Sequence, residues 1–173
     1  YKKANSRSKK LKPSTETQKK LNDFYAQEKF RMIIDSNFTS SDIEMQLSFD
    51  TPPETYEEAL KLIQKYLRKV RTYYSKEFST KLAYVGVIEK GKRLGKFHAH
   101  IIMSIPEPPR RGEIGEKLMD LWEYGAACTF RLRFNEEGMK GIAKYLVCNP
   151  DKPKVEGKFK RWIQSKGLKR PKV

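Results

Sequence analysis

Only two histidines occur in the 173 residues, and they stand one residue apart as His98-Ala99-His100. The run from Phe97 to Ser104 around them reads as a strand. Side chains at i and i+2 leave a strand on the same face, so both imidazoles converge on one place. Paired neutral imidazoles are what a divalent metal takes as ligands. Alone, the pattern serves as well for two histidines on a solvated sheet face. Glu89 bears on that choice. It ends an earlier strand-like run, Leu82 to Glu89, and the residues between, Gly91-Lys92-Arg93-Leu94-Gly95, are bounded by glycines as a hairpin turn is. In an antiparallel hairpin Glu89 lies beside the pair and supplies a carboxylate; taken singly it would be a charge on the hairpin rim. Two imidazoles and a carboxylate, with positions left for water and a phosphate oxygen, suit Mg²⁺ or Mn²⁺.

Such a metal polarises a phosphodiester, but cleavage still requires a nucleophile. A histidine-triad hydrolase needs a third histidine at position 102, which is Ile102, and a two-histidine phosphoesterase needs a second histidine motif where none exists. Tyrosine remains, because a phenolate can attack phosphorus and form a covalent ester. Of the nine tyrosines, Tyr145 lies in Gly141-Ile142-Ala143-Lys144-Tyr145-Leu146. Ile142 and Leu146 are spaced for one helical face and leave Tyr145 to the side. Lys144 adjoins it as a cation for the phenolate or the phosphate. Alone, a helical tyrosine is far more often a packing residue than a catalyst.

The elements that must position these groups follow from periodicity and punctuation. Residues 1–13 are rich in Lys, Arg, Ser and Asn and read as a disordered basic tail. A helix is expected from Thr15 through Leu21, Phe24, Tyr25 and Met32, ending before Asn37. Met45 to Phe49 alternates as a strand does. Thr55 and Glu58 have capping-box spacing, and Ala59, Leu60, Ile63, Leu67 and Val70 follow at helical intervals. After the hairpin, Pro106 to Arg111 reads as a loop, and Ile114, Leu118, Leu121 and Trp122 as a short helix stopped by Gly125. Ala127 to Phe134 reads as a half-buried strand with Thr129, Arg131 and Arg133 outward. Asn135 caps a last helix, Glu136 to Cys148. This order suits one antiparallel sheet with helices packed on it, an α+β fold. The expected domain is 14–150, with a basic C-terminal extension over 151–173.

Composition narrows the partners. The 37 Lys and Arg against 21 Asp and Glu leave a formal charge of +16, the signature of a protein that meets a polyanion. No apolar run approaches a membrane span, and no stretch joins a clean apolar stripe to a basic face. Cys128 and Cys148 are too few for a disulfide framework and lack zinc spacing, which points to the cytosol. No phosphate-binding Gly-rich loop with Lys-Ser/Thr is present, so unwinding falls to a host helicase or to DNA that is already single-stranded.

These residues resemble the HUH endonucleases, specifically the rolling-circle replication initiators of bacterial plasmids and single-stranded DNA phages. Met45-Gln-Leu-Ser-Phe-Asp50 resembles the family's first motif, a strand of the form F-x-T-x-T-F. Phe97-His98-Ala-His100-Ile-Ile-Met103 resembles its second, with Glu89 at the place of the third ligand. Ala143-Lys144-Tyr145-Leu146 resembles its third, which carries the nucleophile. Asn37-Phe38 and Gly167-Leu-Lys-Arg-Pro171 are also similar to segments of these proteins, so the likeness spans residues 14–173. It implies a ferredoxin-like central antiparallel sheet with both histidines on the middle strand and the tyrosine helix alongside. It implies that Tyr145 attacks single-stranded or hairpin origin DNA, leaving a 5′-phosphotyrosyl enzyme and a free 3′-OH for a host polymerase. Glu89, His98 and His100 would hold the Mn²⁺ or Mg²⁺, in the cytosol of a bacterial host. The tyrosine follows the histidines, as in initiators; in conjugative relaxases it precedes them.

Two positions depart from the pattern. Many initiators have a lysine three residues after the tyrosine, where this chain has Cys148; Lys144 lies about 100° round the helix from Tyr145. Initiators with paired tyrosines carry the first where this chain has Gly141. Two alternatives accompany the nuclease reading: an initiator that binds its origin without cutting, and a single-tyrosine transposase of the same superfamily. Candidate phosphate contacts are Lys90, Lys92, Arg93, Arg110, Arg111, Arg131 and Arg133, chosen for sequence positions near the site.

Overall fold

The computed structural model describes residues 15–91, 94–134 and 161–170. The expected basic tail over 1–13 and the expected last helix, Glu136 to Cys148, lie outside the described residues. Over those described, the chain runs as α1 (Glu16–Asn37), β1 (Ile43–Ser48), α2 (Tyr56–Phe78), β2 (Tyr84–Lys90) and β3 (Phe97–Met103). A 3-10 turn (Pro108–Arg110) then leads to α3 (Arg111–Asp120), β4 (Ala127–Arg131) and β5 (Ile163–Gln164). The strands form one sheet in the order β4-β1-β3-β2-β5, and every neighbouring pair is antiparallel. This is the expected α+β architecture, with the histidine strand β3 in the middle of five.

Alternation along the strands divides the sheet between two cores. One face carries Ile43, Met45, Leu47, Phe97, Ala99, Ile101, Met103 and Ile88, packed with the α2 residues Ala59, Ile63, Tyr66, Leu67, Val70 and Tyr74 and with Ile114 and Leu118 of α3. Helix α2 starts where the sequence indicates: the Thr55 hydroxyl accepts from the Glu58 amide at 3.2 Å, and the Glu58 carboxylate accepts from the Glu54 amide at 2.9 Å. Ile63 is fully buried at the centre of this layer; replacing it with Ala removes buried methyl groups and leaves a cavity, a loss of about 2–5 kcal/mol.

The opposite face packs Val85, Val87 and Ile102 under Phe30, Ile33 and Ile34 of α1. The helix expected after Thr15 forms, with the Thr15 hydroxyl accepting from the Gln18 amide, but its buried stripe is not the one that suggested it. Leu21, Phe24 and Tyr25 are exposed, and burial falls on residues 30, 33 and 34. Helical spacing identifies a stripe; which turns of it meet the sheet is set by where the helix crosses.

Two further expectations are corrected by the tertiary structure. Strand β4 turns Ala127 toward the α2–α3 core and Thr129 against Gly115 of α3, while Cys128 and Phe130 are exposed on the other face. The inward and outward faces expected for 128–130 are therefore exchanged, because α3 covers the Thr129 side of this edge strand. Helix α3 ends at Asp120 rather than running to Gly125. Gly125 instead passes against Ser48 and Asp50 so closely that a Cβ there would collide with their backbone.

The basic C-terminal region, read from sequence as an extension, contributes β5, which pairs with Val85 and Gly86 of β2. Trp162 stacks at 5.3 Å on Phe30. The Asn37 carboxamide closes the junction: its Oδ1 accepts from the Lys169 amide at 2.7 Å, and its Nδ2 donates to the Lys169 carbonyl at 3.0 Å.

Candidate functional site

The β2–β3 hairpin brings Glu89 directly opposite His98, with Val87 opposite His100. The turn closes through the Gly91 amide to the Lys96 carbonyl at 2.9 Å and the Gly95 amide to the Gly91 carbonyl at 3.0 Å, with Gly95 in the left-handed region at φ 62°. That turn sets the register, and the register sets the site. His98 Nε2 lies 2.7 Å from Glu89 Oε1, and His100 Nε2 lies 3.2 Å from the same oxygen. One ligand atom from each of the three residues lies within 4.8 Å of the others.

Burial is graded across the cluster. The side chains of Glu89 and His100 are 7% and 5% exposed, whereas that of His98 is 32% exposed and forms the open side. Burial pulls the His100 imidazole down, but its hydrogen bonds to Glu44 and Glu89 outweigh this and hold it above its ordinary value. Two ring nitrogens and a carboxylate oxygen aimed at one partly open place are a donor set for a divalent cation, and the residues fit that group.

Glu44 of β1 touches the site and was not singled out from the sequence. Its Oε1 lies 2.8 Å from His100 Nδ1, and Gln46, directly across from His100, donates to the same oxygen at 3.3 Å. The signal was present as strand alternation, Glu44, Gln46 and Ser48 sharing a face. It becomes legible only once β1 is known to pair with β3 in this register.

The other sequence candidates scatter. Lys90 turns to the opposite face from the imidazoles, its ammonium 5.5 Å from the Phe97 ring. Arg110 is held by Glu107 and Glu113 and lies over the Phe78 ring at the end of α2. Arg111 opens α3. Arg131 ends β4 on the strand face of Thr129 rather than of Phe130, and Arg133 follows it, exposed. Lys92, Arg93, Lys144 and Tyr145 lie outside the described residues. The exposed side chains that share the imidazoles' face of β4 are Cys128 and Phe130.

An antiparallel sheet flanked by helices, with two imidazoles and a carboxylate gathered on its central strand, defines a metal-competent α+β protein of the replication-initiator type. The family model of the replication-associated protein ORF2 matches residues 46–149, more than half of the chain, and the chain belongs to that family. No curated protein and no solved structure matches it. No helix among the described residues is long and apolar enough to cross a membrane.

Proposed function

We propose that this chain nicks and rejoins single-stranded origin DNA to start rolling-circle replication, with Tyr145 as nucleophile and a divalent metal at Glu89, His98 and His100. The observation that carries the reading is the convergence of those three side chains beside a partly open edge. A divalent metal bound there polarises the scissile phosphate and offsets charge that develops on its oxygens. The Tyr145 oxygen forms a bond to phosphorus as the bond to the 3′ oxygen breaks. The phenol proton is lost, the departing oxygen gains one, and Lys144 supplies a cation beside the phenolate. Rejoining is the reverse, a 3′-OH displacing the tyrosyl oxygen. Because the phosphotyrosyl ester conserves the bond, neither direction needs an external energy source.

The distribution of the other tyrosines supports the assignment. Tyr56, Tyr66, Tyr73, Tyr74, Tyr84 and Tyr124 all pack in the α2–α3 core, with the sheet between them and the imidazoles. Tyr66 and Tyr74 donate their hydroxyls to the Leu118 and Ser104 carbonyls at 3.0 and 2.7 Å, and burial raises both phenols well above their ordinary value. Neither is poised to become a phenolate.

The test is cleavage of labelled single-stranded oligonucleotides from the replicon's own origin, with Mn²⁺ or Mg²⁺, comparing wild type with Tyr145→Phe. The expected result is a metal-dependent cut with a covalent protein–DNA adduct, both lost in the variant. Cutting that survives Tyr145→Phe would move the nucleophile elsewhere. Tight origin binding without cutting would make the chain an origin-recognition protein.

A further inference from the structure

We infer that Glu44 is the positioning residue of the metal centre, fixing His100 in the tautomer and ring orientation that present Nε2 to the ion. The inference rests on the reading of Glu89, His98 and His100 as ligands, and its geometry is independent of the nucleophile. Glu44 stands on β1, a strand that contributes none of the three candidate ligands. It lies two residues ahead of the family-matched span.

The carboxylate of Glu44 can only accept, so at 2.8 Å the proton of the pair resides on His100 Nδ1. A neutral imidazole carries one such proton. Nε2 therefore holds the lone pair, and Nε2 is the atom turned toward Glu89 Oε1, where His98 Nε2 also points. Glu44 reaches the ring from its far nitrogen, which makes it an orienting group rather than a fourth ligand. Gln46 donates to the same Glu44 oxygen and restricts the rotation of the carboxylate.

Charge supports the same assignment. Glu44 and Glu89, 12% and 7% exposed, place two carboxylates around one buried ring. Removing charges from water is costly, and a cation of charge two matches the pair. A carboxylate behind a metal-bound histidine fixes its tautomer and raises its basicity, and losing it typically weakens metal affinity about 10–100-fold.

Mn²⁺ binding, followed by electron paramagnetic resonance, and the His100 tautomer in metal-free protein, followed by ¹⁵N NMR, test this together in wild type, Glu44→Ala and Glu44→Gln. Wild type is expected to bind Mn²⁺ with His100 in the Nδ1–H form. Glu44→Ala should bind about 10–100-fold more weakly and shift the ring toward Nε2–H. Glu44→Gln, which keeps the shape of the side chain, should fall between. Lower thermal stability with Mn²⁺ affinity and tautomer unchanged would reduce Glu44 to a structural residue and overturn the inference. Affinity lost with the tautomer unchanged would also overturn it, by making Glu44 a ligand. If wild type binds Mn²⁺ and both variants match it, only the role of Glu44 falls. If wild type binds none, the metal reading falls as well.

Discussion

His100 sits between two carboxylates, and the proton it holds there competes with a metal. Burial opposes the charged ring, yet the hydrogen bonds to Glu44 and Glu89 win and raise its pKa. The unfolded imidazole titrates near about 6.5. A group whose folded value is raised contributes stability that is fully present below about pH 6.5 and is lost as pH rises through the folded value. In metal-free protein the stability gap between wild type and His100→Gln should therefore narrow from about pH 6 to about pH 8, as followed by urea denaturation. Mn²⁺ affinity of the wild type should climb over the same window, since deprotonated Nε2 is the ligand. A gap that widens with pH would contradict the ion-paired geometry around this ring. Replacing Glu89 or His98 by Ala should also lower Mn²⁺ affinity, with His98 the milder case structurally because its ring is already a third exposed.

At the scale of the element, the hairpin is the device that assembles the site, and Gly86 is its tightest point. A Cβ on Gly86 would lie 2.7 Å from the His100 carbonyl oxygen and 3.1 Å from Ile101 Cα, both backbone of β3, which cannot swing aside. Gly86→Ala is expected to cost about 1–3 kcal/mol through overpacking. Because the displaced atom belongs to His100, it should weaken Mn²⁺ binding too. Gly112→Ala is the matched control: a Cβ there meets nothing within 4 Å, and the residue lies in α3. That change should raise stability, by at most about 1 kcal/mol. Thermal melts of the two variants, with Mn²⁺ titrations, read both effects. Equal behaviour of the two would mean that the β2–β3 approach is looser than its geometry.

For the whole molecule, the excess positive charge is not spread evenly over the elements. Between positions 61 and 76, α2 has six cations and no acid. At 100° per residue, Lys61, Lys65, Arg68, Lys69 and Lys76 fall within about a 100° arc, opposite the buried Ile63, Tyr66, Leu67, Val70 and Tyr74. Glu123 engages Lys69 alone among them. This stripe lies across the sheet from the imidazoles, so its effect on DNA should be separable from chemistry. Neutralising Lys61, Lys65, Arg68 and Lys76 to Gln should weaken duplex binding whatever the base sequence. It should also flatten the dependence of affinity on salt, by up to roughly 0.9 logarithmic units for each phosphate no longer neutralised. Mn²⁺ affinity should not change. Unaltered salt dependence in the quadruple variant would assign that face to solvation.

Local physics carried the sequence reading far. The period of two in a strand puts His98 and His100 on one face, and a short glycine-bounded turn leaves Glu89 little choice but to stand beside them. Thr55 and the apolar spacing after it determine α2 in the same way, since caps and helical periodicity depend on neighbours within a few residues. What only the tertiary structure decided is non-local. Glu44 reaches His100 because β1 pairs with β3 in one register, across 56 residues of chain. Residues 163–164 join the sheet because β2 has a free edge and Trp162 finds Phe30. Phe130 rather than Thr129 is exposed because α3 lies on one side of an edge strand. A side chain's face follows from its own strand, but what it meets there follows from strands that the chain brings back from elsewhere.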